Sequence, residues 1–142
     1  MQWYGKEREM FMNQVLDVMK KRSSIRGYTE EPLTEEEVCM LVEAALQAPT
    51  ARNEQELFVS VVKKGNPILD ELQNELNPDA KVKWYYDAPV VFFISGKDDF
   101  KWTALDAGIM CENMHLAAAS MGLGSIILGC IDGIMHGENQ AK

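Results

Sequence analysis

The stretch Lys101–Met121, KWTALDAGIMCENMHLAAASM, constrains this chain more than any other. Its length and its wealth of Ala and Met predict a long helix, with apolar residues falling nearly all round it. Such a helix cannot lie with one face in water. It belongs inside a core or in a subunit interface. Gly122 follows as a C-terminal stop. A second apolar run, Ala88–Ser95 (APVVFFIS), has strand length and no polar alternation, which predicts a central strand covered on both faces.

The remaining elements follow from spacing. Residues from about Lys6 to Lys21 place Met10, Val15, Val18 and Met19 along one helical face. Thr34 with Glu37 three residues later is a capping-box pattern, and Val38, Leu41, Val42, Ala45 and Leu46 form the stripe behind it until Pro49. Leu57–Lys63 reads as a strand, Asn66-Pro67 as the cap and first position of a short helix Ile68–Leu76, and Ser125–Cys130 as a third strand. The order α-α-β-α-β-α-β predicts an α+β sandwich with helices around a sheet, within one domain spanning 1–142.

With 14 basic against 22 acidic residues, a net charge of −8 and a pI of 4.7, a broad basic face is absent. That argues against nucleic acid or an anionic membrane as partner. The apolar tract Trp102–Cys130 is interrupted by Asp106, Glu112 and His115, and the N-terminal residues mix charge with apolar groups, so neither a membrane span nor a signal peptide is expected. Cys39, Cys111 and Cys130 are odd in number without a CxxC pair, which predicts reduced, mostly buried thiols in a cytoplasmic protein.

Against this acidity, Lys20, Lys21, Arg22 and Arg26 fall within seven residues. If the chain is extended after the first helix, Arg22, Ser24 and Arg26 point one way and Ser23 and Ile25 the other. Two guanidiniums beside a hydroxyl make a cradle for a phosphate. Spacing alone equally allows cations that offset a helix dipole, and favours it. Two other stretches bear on the choice: the small polar loop Ala48–Gln55 (APTARNEQ) and Gly122–Gly129 (GLGSIILG). The latter is no dinucleotide fingerprint, because it follows a helix rather than linking a strand to a helix.

Taken together and in order, RSSIRGY (Arg22–Tyr28), the acidic capped helix, APTARNEQ, DAPVVFFIS (Asp87–Ser95) and LDAGIMCENMHLAAASMGLGSIILG (Leu105–Gly129) resemble the nitroreductase family. The resemblance covers about residues 14–133. It implies a three-layer α-β-α sandwich with a mainly antiparallel sheet and a long central helix. It also implies an FMN-dependent oxidoreductase that passes hydride from NADH or NADPH through flavin N5 to a nitroaromatic, a quinone or a similar acceptor, in alternating half-reactions. By that resemblance Arg22, Ser23 and Ser24 meet the FMN phosphate and ribityl chain, and Arg26 lies near the pyrimidine edge of the ring. Pro49, Thr50, Ala51 and Asn53 reach the flavin of the partner subunit in a homodimer. Backbone of Ile127, Leu128 and Gly129 faces N5. No side-chain catalyst and no metal are implied, since the cofactor carries the chemistry.

The chain departs from the family pattern twice. Gln55 is followed by Glu56-Leu57 instead of Pro-Trp, and the further strand and phosphate-gripping base of relatives have no counterpart before Lys142. That second departure leaves a non-catalytic flavin binder or a shortened, degenerate member as the alternative, beside same-fold reactions such as dehalogenation or flavin breakdown. His115 and His136 lack partner patterns, and His115 reads as a packed or interface histidine. Asp106 and Glu112 read as hydrogen-bonded structural carboxylates. Trp84, Tyr85 and Tyr86 read as a packed cluster, with a wall over the flavin as the other possibility.

Overall fold

The computed structural model describes residues 13–76, 78–97 and 99–129. Asn13 opens helix α1 (Gln14–Lys21): its side-chain oxygen accepts the Val15 and Leu16 N–H groups at 3.0 and 3.4 Å. Thr34 opens α2 (Glu35–Leu46) with the anticipated capping box. Its hydroxyl accepts Glu37 N–H at 3.2 Å, while the Glu37 carboxylate accepts Thr34 N–H at 2.7 Å. Those hydrogen bonds to the charged form hold the Glu37 carboxyl below the usual carboxylate range. Strand β1 (Phe58–Lys63) leads through Asn66, which caps α3 (Pro67–Leu76) by accepting Ile68 N–H at 3.1 Å. Strand β2 (Val90–Ser95) pairs antiparallel with β1, Phe58 opposite Ser95 and Lys63 opposite Val90. Helix α4 (Thr103–Ser120) ends at Met121, and Gly122 takes φ +77°, where a side chain would be strained.

Side-chain alternation along β2 gives each face its own core. Phe92 and Ile94, with Val59 of β1, pack on a cluster built from Leu41 and Ala45 of α2, Leu57, and Met110, Met114 and Ala118 of α4. Val91 and Phe93 belong to the other cluster, with Leu69 of α3, Trp84 and Tyr85. The result is three layers, α2 and α4 against one face of the sheet and α3 against the other. Trp84 and Tyr85 are therefore packing residues. The Trp84 indole N–H donates to Leu69 carbonyl oxygen at 3.2 Å.

Several expectations need correction. The first helix does not run through from Lys6: Asn13 is extended, and the segment carrying Met10 lies outside the described residues. No residue of α1 is buried, and Val15 and Met19 remain exposed, because α2 and the sheet already fill the inner side of α4. Cys39 is exposed, turned away from the Val38–Leu41–Ala45 stripe; Cys111 is half-buried, and Cys130 and His136 lie outside the described residues. The expected third strand is, among the described residues, a single parallel bridge from Ser125 to Ser24. Only one residue pair meets there, so no ladder forms. Among the described residues β2 thus has one strand neighbour and is not central, although both of its faces are covered. No described helix is long and apolar enough to cross a membrane.

Candidate functional site

Arg22 caps α1, its N–H donating to Val18 carbonyl oxygen at 2.9 Å, and its backbone (φ −57°, ψ 129°) turns the chain out of the helix into an extended run. Ser24 forms the bridge to Ser125, and Ile25 N–H donates to the Ser125 carbonyl at 3.0 Å. Tyr28 hydroxyl donates to Ile25 carbonyl oxygen at 3.0 Å; burial pushes its phenol up, with a smaller contribution from Tyr86. Gly124 fits here because a Cβ would sit 3.0 Å from the Ile25 side chain.

The charges divide. Lys20 pairs with Asp17 at 3.8 Å within α1, Lys64 with Glu30 at 3.5 Å, Lys83 with Asp70 at 3.5 Å, and Lys63 with Glu35. Among the described residues no carboxylate comes within ion-pair distance of Arg22 or Arg26. A guanidinium without a carboxylate partner can meet an external anion instead. Lys20 and Lys21 occupy the last turn of α1 and Arg22 is its C-cap, so the dipole reading accounts for these three and leaves Arg26 over.

Beyond Ser125, Leu128 packs into the α3-side core while Ile127 and Gly129 stay exposed. The structure thus ties the Arg22–Arg26 segment to Ser125, two residues before Ile127, through Ser24 and Ile25. It does not bring Pro49, Thr50, Ala51 and Asn53 to them. Those four lie on a loop tied to α4 elsewhere: Ala51 N–H donates to the Asp106 carboxylate at 2.9 Å. Asp106 is 1% exposed. His115, which holds Ser125, follows Asp106 by nine residues on α4. That is about 2.5 helical turns, or ~14 Å, and places the two residues on opposite sides of the helix.

The Ala51–Asn53 turn is unusual. Arg52 (φ 58°), Asn53 (φ 58°) and Gln55 (φ 50°) are all left-handed without being glycine. Such residues cost on the order of 1 kcal/mol or more each and persist only where surroundings fix them. Here Gln55 N–H donates to Thr50 hydroxyl at 3.1 Å and Asn53 N–H to Thr50 carbonyl oxygen at 3.0 Å.

Three features carried no local sequence signal. His115 is 7% exposed, and its Nδ1 lies 2.5 Å from the Ser125 hydroxyl. Burial and, less strongly, the Arg22 charge hold this imidazole below its usual range, with Glu112 pulling the other way. Glu56 is buried with neither carboxyl oxygen hydrogen-bonded; it lines a hollow of about 250 Å³ with Arg52, Lys97 and Phe100. Its only trace in the sequence was the departure from Pro-Trp. An apolar hollow of about 400 Å³ runs along the outer face of α4, past Leu105, Gly108 and Ile109.

Comparison with known proteins bears on these residues. The model of the family described as "Nitroreductase family" matches residues 19–136. The chain is 28% identical over 145 residues to the FMN reductase [NAD(P)H] of Bacillus subtilis (strain 168), covering 86% of this chain and 56% of that protein. To the NADPH-flavin oxidoreductase of Vibrio harveyi it is 30% identical over 135 residues, 83% of this chain and 54% of that protein. The chain spans about half the length of these relatives. Among solved structures, an FMN-dependent nitroreductase from Clostridium difficile R20291 superposes with a TM-score of 0.73 at 27% identity, over 92% of this chain and 73% of its own. A nitroreductase with bound FMN from Desulfitobacterium hafniense DCB-2 superposes with a TM-score of 0.75 at 25% identity, over 92% and 79%.

Proposed function

We propose, from the premise that this chain belongs to the nitroreductase family, that it is an FMN-dependent oxidoreductase moving reducing equivalents from NADH or NADPH to a nitroaromatic, a quinone or a similar acceptor. The observation that carries the reading is Arg22 and Arg26, without a carboxylate partner among the described residues and joined through Ser24 and Ile25 to the loop that ends in Ile127–Gly129. Its chemistry fits a flavin mononucleotide. Guanidiniums without carboxylate partners suit a phosphate dianion, and an adjacent exposed backbone loop suits the polar edge of a ring. Relatives named as FMN reductase and NADPH-flavin oxidoreductase point the same way.

In this reading Arg22, Ser23 and Ser24 hold the phosphate and ribityl chain, and Arg26 offers a positive charge to the pyrimidine edge. When bound, FMN supplies hydride acceptance from the nicotinamide and hydride donation to the acceptor. The protein's part is to bind, to orient and to exclude water, and no side-chain nucleophile or metal is needed.

The same reading requires a homodimer. One chain presents its clamp and its Pro49–Asn53 loop on opposite sides of α4, so a clamp is completed by the loop of a second copy. The outer face of α4 favours this arrangement. Leu105 is 55% exposed there, beside Gly108 and Ile109, on a helix apolar nearly all round. Gel filtration should show a flavin-loaded dimer, and a flavin-loaded monomer would remove this part of the proposal. The wider test is optical. The purified protein should be yellow or become so on FMN titration, and bleach under NADH or NADPH without oxygen. Flavin that does not bleach would make it a carrier, and colourless protein indifferent to FMN would overturn the reading.

A further inference from the structure

The hydrogen bond of His115 goes to none of the predicted ligand-binding residues, yet it holds the residue that ties their segment in place. Ser125 makes three connections at once. Its hydroxyl meets His115 Nδ1 at 2.5 Å, its carbonyl accepts Ile25 N–H at 3.0 Å, and its backbone bridges Ser24. On one side of it lies the segment carrying Arg22 and Arg26, and on the other the loop Ile127–Gly129. Among the described residues, the Ile25–Ser125 bond is the one backbone hydrogen bond between those segments. A single bridge is a weak tether, lacking the neighbouring pairs that stabilise a ladder. A buried imidazole bonded to the serine hydroxyl fixes the rotamer and position that the bridge alone leaves free.

We propose that His115 is a positioning residue which, through Ser125, sets the spacing between the Arg22–Arg26 segment and the Ile127–Gly129 loop, and thereby sets how strongly the site prefers a flavin carrying a phosphate over one without. The inference rests on the flavin reading above. Guanidinium–phosphate recognition is directional, so a small shift of the segment weakens the phosphate contacts most. Contacts to a ring are broader and tolerate it better. The charged groups facing the imidazole are Glu112 on its own helix and Arg22 at the end of α1. Neither takes the place of Ser125 as its hydrogen-bond partner.

The test measures dissociation constants for FMN and for riboflavin, which lacks the phosphate, in wild type, His115→Leu and His115→Asn, with amide exchange at Ile25 in the flavin-free proteins. Leucine removes Nδ1 and keeps an apolar body, whereas the asparagine amide reaches the Nδ1 position. Wild type should prefer FMN by about tenfold or more. His115→Leu should cut that preference by about fivefold, with riboflavin affinity within about twofold of wild type, and should speed Ile25 exchange. His115→Asn should restore most of both. An unchanged preference in folded His115→Leu overturns the proposal, as does an equal loss of both flavins, which marks a merely structural residue. Should His115→Leu not fold, Ser125→Ala removes the same hydrogen bond from the other side and is judged by the same ratio. If wild type binds neither flavin while Ile25 exchange still responds to His115→Leu, the flavin reading falls and the lock between the two segments stands.

Discussion

At one end of α4 a buried carboxylate, Asp106, accepts a backbone N–H from the Pro49–Asn53 loop; towards the other, a buried imidazole, His115, meets a serine hydroxyl beside the arginine clamp. The first arrangement sits beside a demanding left-handed backbone, whose charges of both signs share one hollow. The second holds an ordinary extended segment whose two arginines have no carboxylate partner among the described residues. One end is thus suited to present shape and the other charge, and α4 sets them on opposite sides of itself. Under the proposed flavin reading neither half is a complete site, and the same helix serves as the ruler between them.

The largest expected effect breaks the charged end. Arg22→Ala should weaken FMN binding by about ten- to a hundredfold, the loss of one charge-assisted contact, in a fluorescence titration. Stability without flavin should hardly change, because the guanidinium has no partner among the described residues. An unchanged titration would return Arg22 to the helix-end role. At the other end the balance reverses. Asp106→Ala strands Ala51 N–H and should lower stability by about 1–3 kcal/mol in urea unfolding. Asp106→Asn keeps an acceptor oxygen and should lose less. Equal stability losses in Arg22→Ala and Asp106→Ala would dissolve the contrast.

Mixing the two variants sharpens it further. If a clamp is completed by the partner's loop, a dimer of one Arg22→Ala chain and one Asp106→Ala chain holds one intact site and one doubly damaged site. Random reassortment of an equal mixture should then restore FMN binding at about a quarter of sites. Absence of restoration, with exchange of subunits demonstrated, would mean that both halves serve a flavin within one chain.

How far these ends could be read from the sequence depends on the range of the interaction. The capping box at Thr34 and Glu37, the Asn66 cap, the limits of α3 and the stop at Gly122 are set within a few residues, and spacing revealed them. The Ser125 segment has strand composition, but whether a ladder forms depends on a partner about a hundred residues away, near Ser24. Composition does not encode that. The proposed clamp has a local trace in the alternation of Arg22, Ser24 and Arg26, although spacing alone favours cations that offset a helix dipole. The tie from Asp106 to Ala51 and that from His115 to Ser125 were not, because each joins α4 to a separate loop through one hydrogen bond. Asp106 could be read as a structural carboxylate, but not what it structures.

A smaller effect probes the imidazole by pH. Burial first, and Arg22 second, depress the folded-state proton affinity of His115 below its unfolded value near 6.5. The unfolded chain therefore takes up a proton that the folded chain refuses. The contribution is fully present above about pH 6.5 and is lost as pH falls through the depressed folded value. Urea midpoints from about pH 8 to 5 should decline below 6.5 in wild type, and decline less in His115→Asn. Matching slopes in the two proteins would show that the proton is taken up elsewhere.

The smallest effect concerns Glu56, just past the left-handed loop. Its two carboxyl oxygens are buried without hydrogen-bond partners, although Arg52 and Lys97 line the same hollow. Glu56→Met fills nearly the same volume without stranding a polar atom. It should raise stability by about 0.5–1 kcal/mol, read as a higher urea midpoint at unchanged slope. A lower midpoint would mean that Arg52 or Lys97 swings in to pair with the carboxylate in solution. The loop end of α4 would then be held by charge as well as by backbone shape, and would differ from the clamp end only in having its cations already engaged.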